Sequence, residues 1–154
     1  MLLQVVKFVR LPIVLLFIYA VGRYLLGAYN VPYAPRGNAM FSVVGLTFIS
    51  SVYFGALSGK VGKFNWVGTI LIGLVIGLSG QIFIFTATLI SYLANIETSY
   101  YRHWDSLNVP EGTIVPMAQA MRARVGGLIF GPISAIIATL IGRLLGFLVS
   151  EPES

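Results

Sequence analysis

No charged side chain occurs between Lys63 and Glu97. That interval is longer than the roughly 20 apolar residues an α-helix needs to cross a bilayer. A second uncharged interval lies between Arg36 and Lys60. Together they make lipid, rather than water, the solvent for most of this chain. Composition agrees. Of the 154 residues, 57% are hydrophobic and 10% are charged, against about 25% charged in soluble domains.

The pattern predicts an all-α fold in a single membrane domain, residues 1–154. Four membrane helices are expected at about 11–29, 39–57, 66–93 and 125–149, packed as an integral membrane four-helix bundle. A structured extramembrane loop, 95–124, joins helices three and four. Lys7 and Arg10 ahead of the apolar run from Leu11 have the pattern of a signal sequence; the reading taken is an uncleaved first membrane helix. That helix spans only if Arg23 snorkels to the far headgroups. Tyr24 and Tyr29 mark the same interface.

Pro32 and Pro35 disfavour helix in the loop at 30–38, and Gly37-Asn38 is a start signal for helix two. The short polar turn at 58–65 makes helices two and three antiparallel neighbours. Asn65 is the expected N-cap of helix three and Trp66 an interface anchor. Val109-Pro110-Glu111-Gly112 reads as a turn. Pro116 is expected at the first position of a water-side stem, 117–124, which runs on into helix four. Glu151 and Glu153 lie in a short tail. Val21-Gly22-Arg23 and Ile141-Gly142-Arg143 are locally alike, too briefly to mark a duplication.

The net charge of +5 comes from basic residues scattered at run ends and in loops. Nucleic-acid binding needs a clustered basic face and is not expected. Lys7, Arg10, Lys60, Lys63 and Arg143 oppose Arg23, Arg36, Arg102, Arg122 and Arg124 across the membrane. Weighting short loops and the first helix places both termini on the cytoplasmic side. The absence of cysteine excludes disulfides, thiolate metal sites and a cysteine nucleophile. One histidine cannot make a usual zinc site or bis-histidine haem ligation. No nucleophile elbow, phosphate-binding glycine loop or HExxH is present. No metal or cofactor is expected; bound lipids are.

Small residues recur at helical spacing. Helix three carries Gly73, Gly77 and Gly80; helix four carries Gly127, Gly131, Ala135, Ala138, Gly142 and Gly146. Helix two carries Ser51, Gly55 and Gly59. Apolar burial gives helices no drive to associate in lipid, so such stripes mark close backbone packing, either within the chain or against another subunit. Gln81, with Ser79, Thr86, Thr88 and Ser91 nearby, is either an interhelical hydrogen-bonding group or part of a polar path. Arg23 and Arg143, the only charges inside spans, are candidate lipid-headgroup contacts.

Tyr24, Tyr29, Tyr33, Tyr92, Tyr100, Tyr101 and Trp104 gather on the side of the two larger loops. An aromatic belt explains them. The sharper reading is a partner-docking surface of Tyr33, Tyr100, Tyr101, Arg102, His103 and Trp104. These features point to a small non-catalytic membrane subunit that packs against other membrane subunits and lipids, or against its own copies. One alternative is an oligomeric channel or carrier with a path near Gln81. The other is a membrane-surface enzyme acting on a lipid or isoprenoid, in which His103, Asp105 and an arginine would converge.

Overall fold

The structure, a computed structural model, describes residues 1–33 and 41–148. Among these residues five α-helices follow one another: α1 (Leu2–Phe8), α2 (Arg10–Ala28), α3 (Val43–Lys60), α4 (Trp66–Leu93) and α5 (Met117–Gly146), with a 3-10 turn at Asp105–Leu107. Helices α2 to α5 are each long and apolar enough to cross a membrane. The fold is an all-α, multi-pass four-helix bundle. The shortest span, the 18 residues of α3, rises about 27 Å, close to the hydrocarbon thickness of about 30 Å.

The first helix starts earlier than the sequence suggests and is broken once. Pro12 has no N–H for the Phe8 carbonyl, and its ring crowds that oxygen. The chain accordingly leaves helical geometry at Val9 (φ −98°, ψ 15°), between α1 and α2. The buried stripe nevertheless continues across the break: Val5, Val9, Pro12, Leu16, Ala20, Arg23 and Gly27 recur every three or four residues. Lys7 and Arg10 remain exposed. This stripe packs on α4, where Ile72 and Ile76 are fully buried in the same core.

Helix α3 begins at Val43 rather than near 39. Ser42 caps it, accepting a 3.1 Å bond from the Gly45 N–H. The expected start signal Gly37-Asn38 falls outside the described residues, as do Pro35, Arg36 and the tail with Glu151 and Glu153. Asn65 caps α4, accepting from the Gly68 N–H at 2.9 Å. Asn30 and Asn95 follow the ends of α2 and α4 with φ of 57° and 53°, a left-handed conformation that asparagine tolerates after a helix.

Stem and span form one helix at α5, about 45 Å long by its 30 residues. Pro116 precedes it in an extended conformation (φ −64°, ψ 149°) instead of occupying its first turn. Pro132 lies inside α5 and removes one helical hydrogen bond. Gly77 of α4 makes room for this part of α5: a Cβ on Gly77 would sit 2.7 Å from Pro132 Cα.

The glycine stripes meet within the chain. Gly73 faces the Ile136 backbone, where a Cβ would sit 2.6 Å from Cα, and Gly77 also faces Ala135. On the other side of α5, Gly142 and Gly146 face the carbonyls of Val52 and Ala56, and Gly55 of α3 faces the Thr139 carbonyl. Helix α5 is therefore wedged against both α3 and α4 at backbone distance, while Gly80 of α4 meets Thr47 of α3.

Candidate functional site

The loop between α4 and α5 folds over the end of α2. Thr98 donates from Oγ1 to the Gly27 carbonyl at 2.7 Å. Gly27 is glycine because the loop backbone crosses it; a Cβ there would lie 2.7 Å from the Tyr100 nitrogen. Tyr100 donates to the carbonyls of Val31 (2.9 Å) and Pro32 (3.1 Å), and Tyr101 to the Ala20 carbonyl (3.1 Å). Tyr92 closes the other side by donating to the Val115 carbonyl at 2.6 Å. Burial pushes the Tyr101 hydroxyl up to about 12, so it stays a proton donor at any physiological pH.

This geometry corrects the docking surface. Tyr100 and Tyr101 are 1% and 2% exposed and cannot anchor a partner. Their hydroxyls hold the loop to α2. Tyr33 stacks on His103, with ring centroids 3.7 Å apart and planes 13° from parallel. It donates to Asp105 Oδ2 at 2.8 Å. His103 Nδ1 accepts the Asp105 N–H at 3.3 Å, and the Trp104 ring lies 4.9 Å from the His103 ring. Arg102 lies 4.4 Å over the Tyr92 ring and donates to Asn95 Oδ1 at 3.4 Å. Arg102, His103 and Trp104 remain half-exposed and border a groove of about 320 Å³ with Glu97 and Val115.

Arg23 does not snorkel outward. It is 9% exposed, donates to Tyr33 Oη at 3.3 Å, and lies 5.5 Å from the centres of the Tyr33 and Tyr100 rings. Tyr33, after α2, supplies an oxygen and an aromatic face there, and Tyr100 of the α4–α5 loop supplies a second face, in place of water. Arg143, at the other end of the bundle, is also held by protein. It donates to the carbonyls of Phe64 (2.9 Å) and Asn65 (3.2 Å) and to the hydroxyls of Ser58 and Thr69, with its guanidinium 4.5 Å from the Trp66 ring centre.

Arg124 is the site residue that sequence reasoning passed over. Its Nε donates to Thr88 Oγ1 (3.0 Å), and its two Nη atoms reach the carbonyls of Ser106 (3.0 Å) and Tyr101 (3.2 Å) and Ser106 Oγ (3.3 Å). A signal was available. Residues two apart on a helix do not share a face, so if 117–124 is helical and packs on its neighbours, Arg122 and Arg124 point to different sides. Arg122 is exposed and Arg124 turns inward. Arg23 and Arg124 line one partly enclosed cavity of about 120 Å³ with Ser42, Val43, Val44, Ile84, Tyr101 and Ser106.

Gln81 lies across the glycines of α5. A Cβ on Gly127 would sit 2.7 Å from its Oε1, and one on Gly131 would strike its side chain. Among the described residues no cluster of His, Asp and Glu is arranged to hold a metal ion. No protein family, curated protein or solved structure matches the chain.

Proposed function

We propose that this chain is a small non-catalytic membrane subunit that packs beside other membrane proteins and stabilises their assembly. One observation carries the reading. The hydroxyls of Tyr92, Tyr100 and Tyr101 at the loop end are spent on backbone carbonyls of the chain itself, which leaves the apolar flanks of the bundle as its largest outward surface. Between α2 and α4 that surface forms a groove of about 390 Å³, lined by Phe17, Val21, Ile82, Phe83, Thr86 and Ile90. A second apolar strip runs along Phe48, Ile49, Val52 and Tyr53 of α3. Helices in lipid associate by shape and close contact rather than by apolar burial, and a groove between two helices suits a third. The distribution of basic residues supports placing both termini on the cytoplasmic side. Purification in a gentle detergent is expected to yield a larger assembly containing other polypeptides. Recovery of a stable lone monomer overturns the reading, and recovery of copies of this chain alone redirects it to a homo-oligomer.

A second reading, a membrane-surface enzyme acting on a lipid or isoprenoid, is favoured by the meeting of Arg23, His103 and Asp105 around Tyr33. Against it, His103 Nδ1 and the Asp105 carboxylate already accept local hydrogen bonds. Its test is mass spectrometry of lipids incubated with the purified protein. Turnover lost in His103→Gln supports it, and unchanged lipids exclude it for the lipids tried. The channel reading is weakened by Gln81, which lies against the glycine face of α5.

A further inference from the structure

Two guanidiniums from different helices border the same cavity, and none of its described lining residues carries a carboxylate. Like charges in surroundings of low dielectric repel strongly unless an opposite charge joins them. Every acceptor that Arg124 bonds is neutral: one threonine hydroxyl, one serine hydroxyl and two carbonyls. These bonds orient the guanidinium without balancing its charge. Four bonds also leave one of its five N–H donors unused.

We propose that the cavity between Arg23 and Arg124 binds a phosphate-type oxyanion. Its volume of about 120 Å³ exceeds what a single water occupies, about 30 Å³ in the liquid, and suits a compact tetrahedral group. Guanidinium pairs match phosphate oxygens in geometry and charge. The wall adds the Ser42 hydroxyl and the first turn of α3, whose dipole also favours an anion. Val43, Val44 and Ile84 supply the apolar remainder, which strengthens each charged contact. Tyr101 does not compete for the anion, because its hydroxyl donates to the Ala20 carbonyl.

The phosphate could arrive on a lipid headgroup or free in solution. Arg23 lies toward the loop end of α2 and Arg124 toward the same end of α5, a position that lets either source enter. The site therefore differs from the expected headgroup contacts. Arg23 takes part, but its companion is Arg124 and not Arg143.

The test uses the whole protein, delipidated in a nonionic detergent. Thermal unfolding is followed with inorganic phosphate at constant ionic strength, and separately with micelles doped with phosphatidic acid or with diacylglycerol. Ser42→Asp is the diagnostic variant. Aspartate caps a helix as well as serine does, and it places a carboxylate on the cavity wall. Val44→Glu, at an exposed residue on the same wall, is the second. Wild-type protein is expected to gain about 3–6 °C at tenfold the Kd of the ligand. Both variants are expected to lose that gain, and Ser42→Asp to match or exceed the unliganded wild-type midpoint. A gain with phosphatidic acid alone assigns a lipid headgroup; a gain with inorganic phosphate as well assigns a free ion. No gain with either ligand, or an equal gain in wild type and variants, overturns the proposal.

Discussion

Helix α5 carries an inward-turned arginine near each end, and the two are used differently. Arg143 meets the turn between α3 and α4. The carbonyls of Phe64 and Asn65 and the hydroxyls of Ser58 and Thr69 close around it. The space left beside it is about 10 Å³. Arg124 meets a longer loop and a second arginine, and about 120 Å³ stays open beside it. A short turn delivers its carbonyls at close range and, with Thr69 of α4, occupies one Nη of the guanidinium, while Nε is buried without a partner. A long loop reaches over a neighbouring helix, satisfies the arginine from one side, and leaves the other side for a ligand. The same residue thus serves as a clamp at one end and as half of a binding site at the other.

The seam between these two ends is where the largest effects are expected. Gly142→Ala sets a methyl group against the Val52 carbonyl of α3, and neither backbone can yield without separating the helices. Overpacking of this kind costs about 1–3 kcal/mol or more. Gly126→Ala meets nothing within 4 Å and gains about 1 kcal/mol of helix propensity at most. Gly131→Ala falls between, because the Gln81 side chain can move aside. Unfolding midpoints in detergent should rank Gly142→Ala lowest and Gly126→Ala at or above wild type. Equal midpoints would mean that α3 and α5 do not meet at this face.

The clamp and the half-open site should then separate under substitution. Arg143→Met takes the guanidinium donor from the half-buried Phe64 carbonyl, while the Asn65 carbonyl still accepts from the Thr69 N–H; the loss is about 0.5–1.5 kcal/mol per bond. Arg124→Met unties Ser106 and Tyr101 but also relieves the repulsion with Arg23. We expect Arg143→Met to lower the unfolding midpoint more, and Arg124→Met chiefly to open residues 94–116 to protease. The comparison fails if the global loss is greater for Arg124→Met. A smaller effect is expected for Tyr100→Phe, which removes two bonds to the Val31 and Pro32 carbonyls, about 0.5–1.5 kcal/mol. Hydrogen exchange should rise in residues 29–33 and stay constant in α4.

How much of this was legible follows the same division. The spans could be read because lipid tolerates only long apolar helices with internally bonded backbones, and charges mark their limits from Lys63 to Glu97. The caps Asn65 and Ser42 are local chemistry, although Ser42 was hidden by the apolar residues before it. The glycine rows announced close packing, but spacing alone does not say which helix fills the groove. The loop end was misread at Tyr100 and Tyr101. A tyrosine beside a membrane looks alike in sequence whether its hydroxyl faces headgroups or a backbone carbonyl of another helix. Arg23 was misread for the same reason, since its aromatic neighbours come from residues 33 and 100, which the chain brings together only in three dimensions.

The smallest expected effect tests the loop end by acid. His103 is held below its ordinary value of 6.5, first by burial and then by Arg23, while the Asp105 carboxylate pushes partly back. Its neutral Nδ1 accepts the Asp105 N–H, and a protonated ring has only donors to offer. Between the lowered folded value and 6.5, the undocked loop binds more protons than the docked one. Loop stability is therefore complete above about pH 6.5 and falls as the pH drops through the folded value. A histidine titration followed by NMR should place His103 below 6.5. Asp105→Asn removes the carboxylate that pushes the value up and should lower it further. Tyr33→Ala exposes the ring and should raise it toward 6.5. Glu97 and Arg102 share the neighbouring groove, and neutralising either should matter less than changing Asp105 or Tyr33. A wild-type value at or above 6.5 would mean that the Tyr33 stack does not shield His103 from water, and the loop end would then be looser than the clamped end in more than its open cavity.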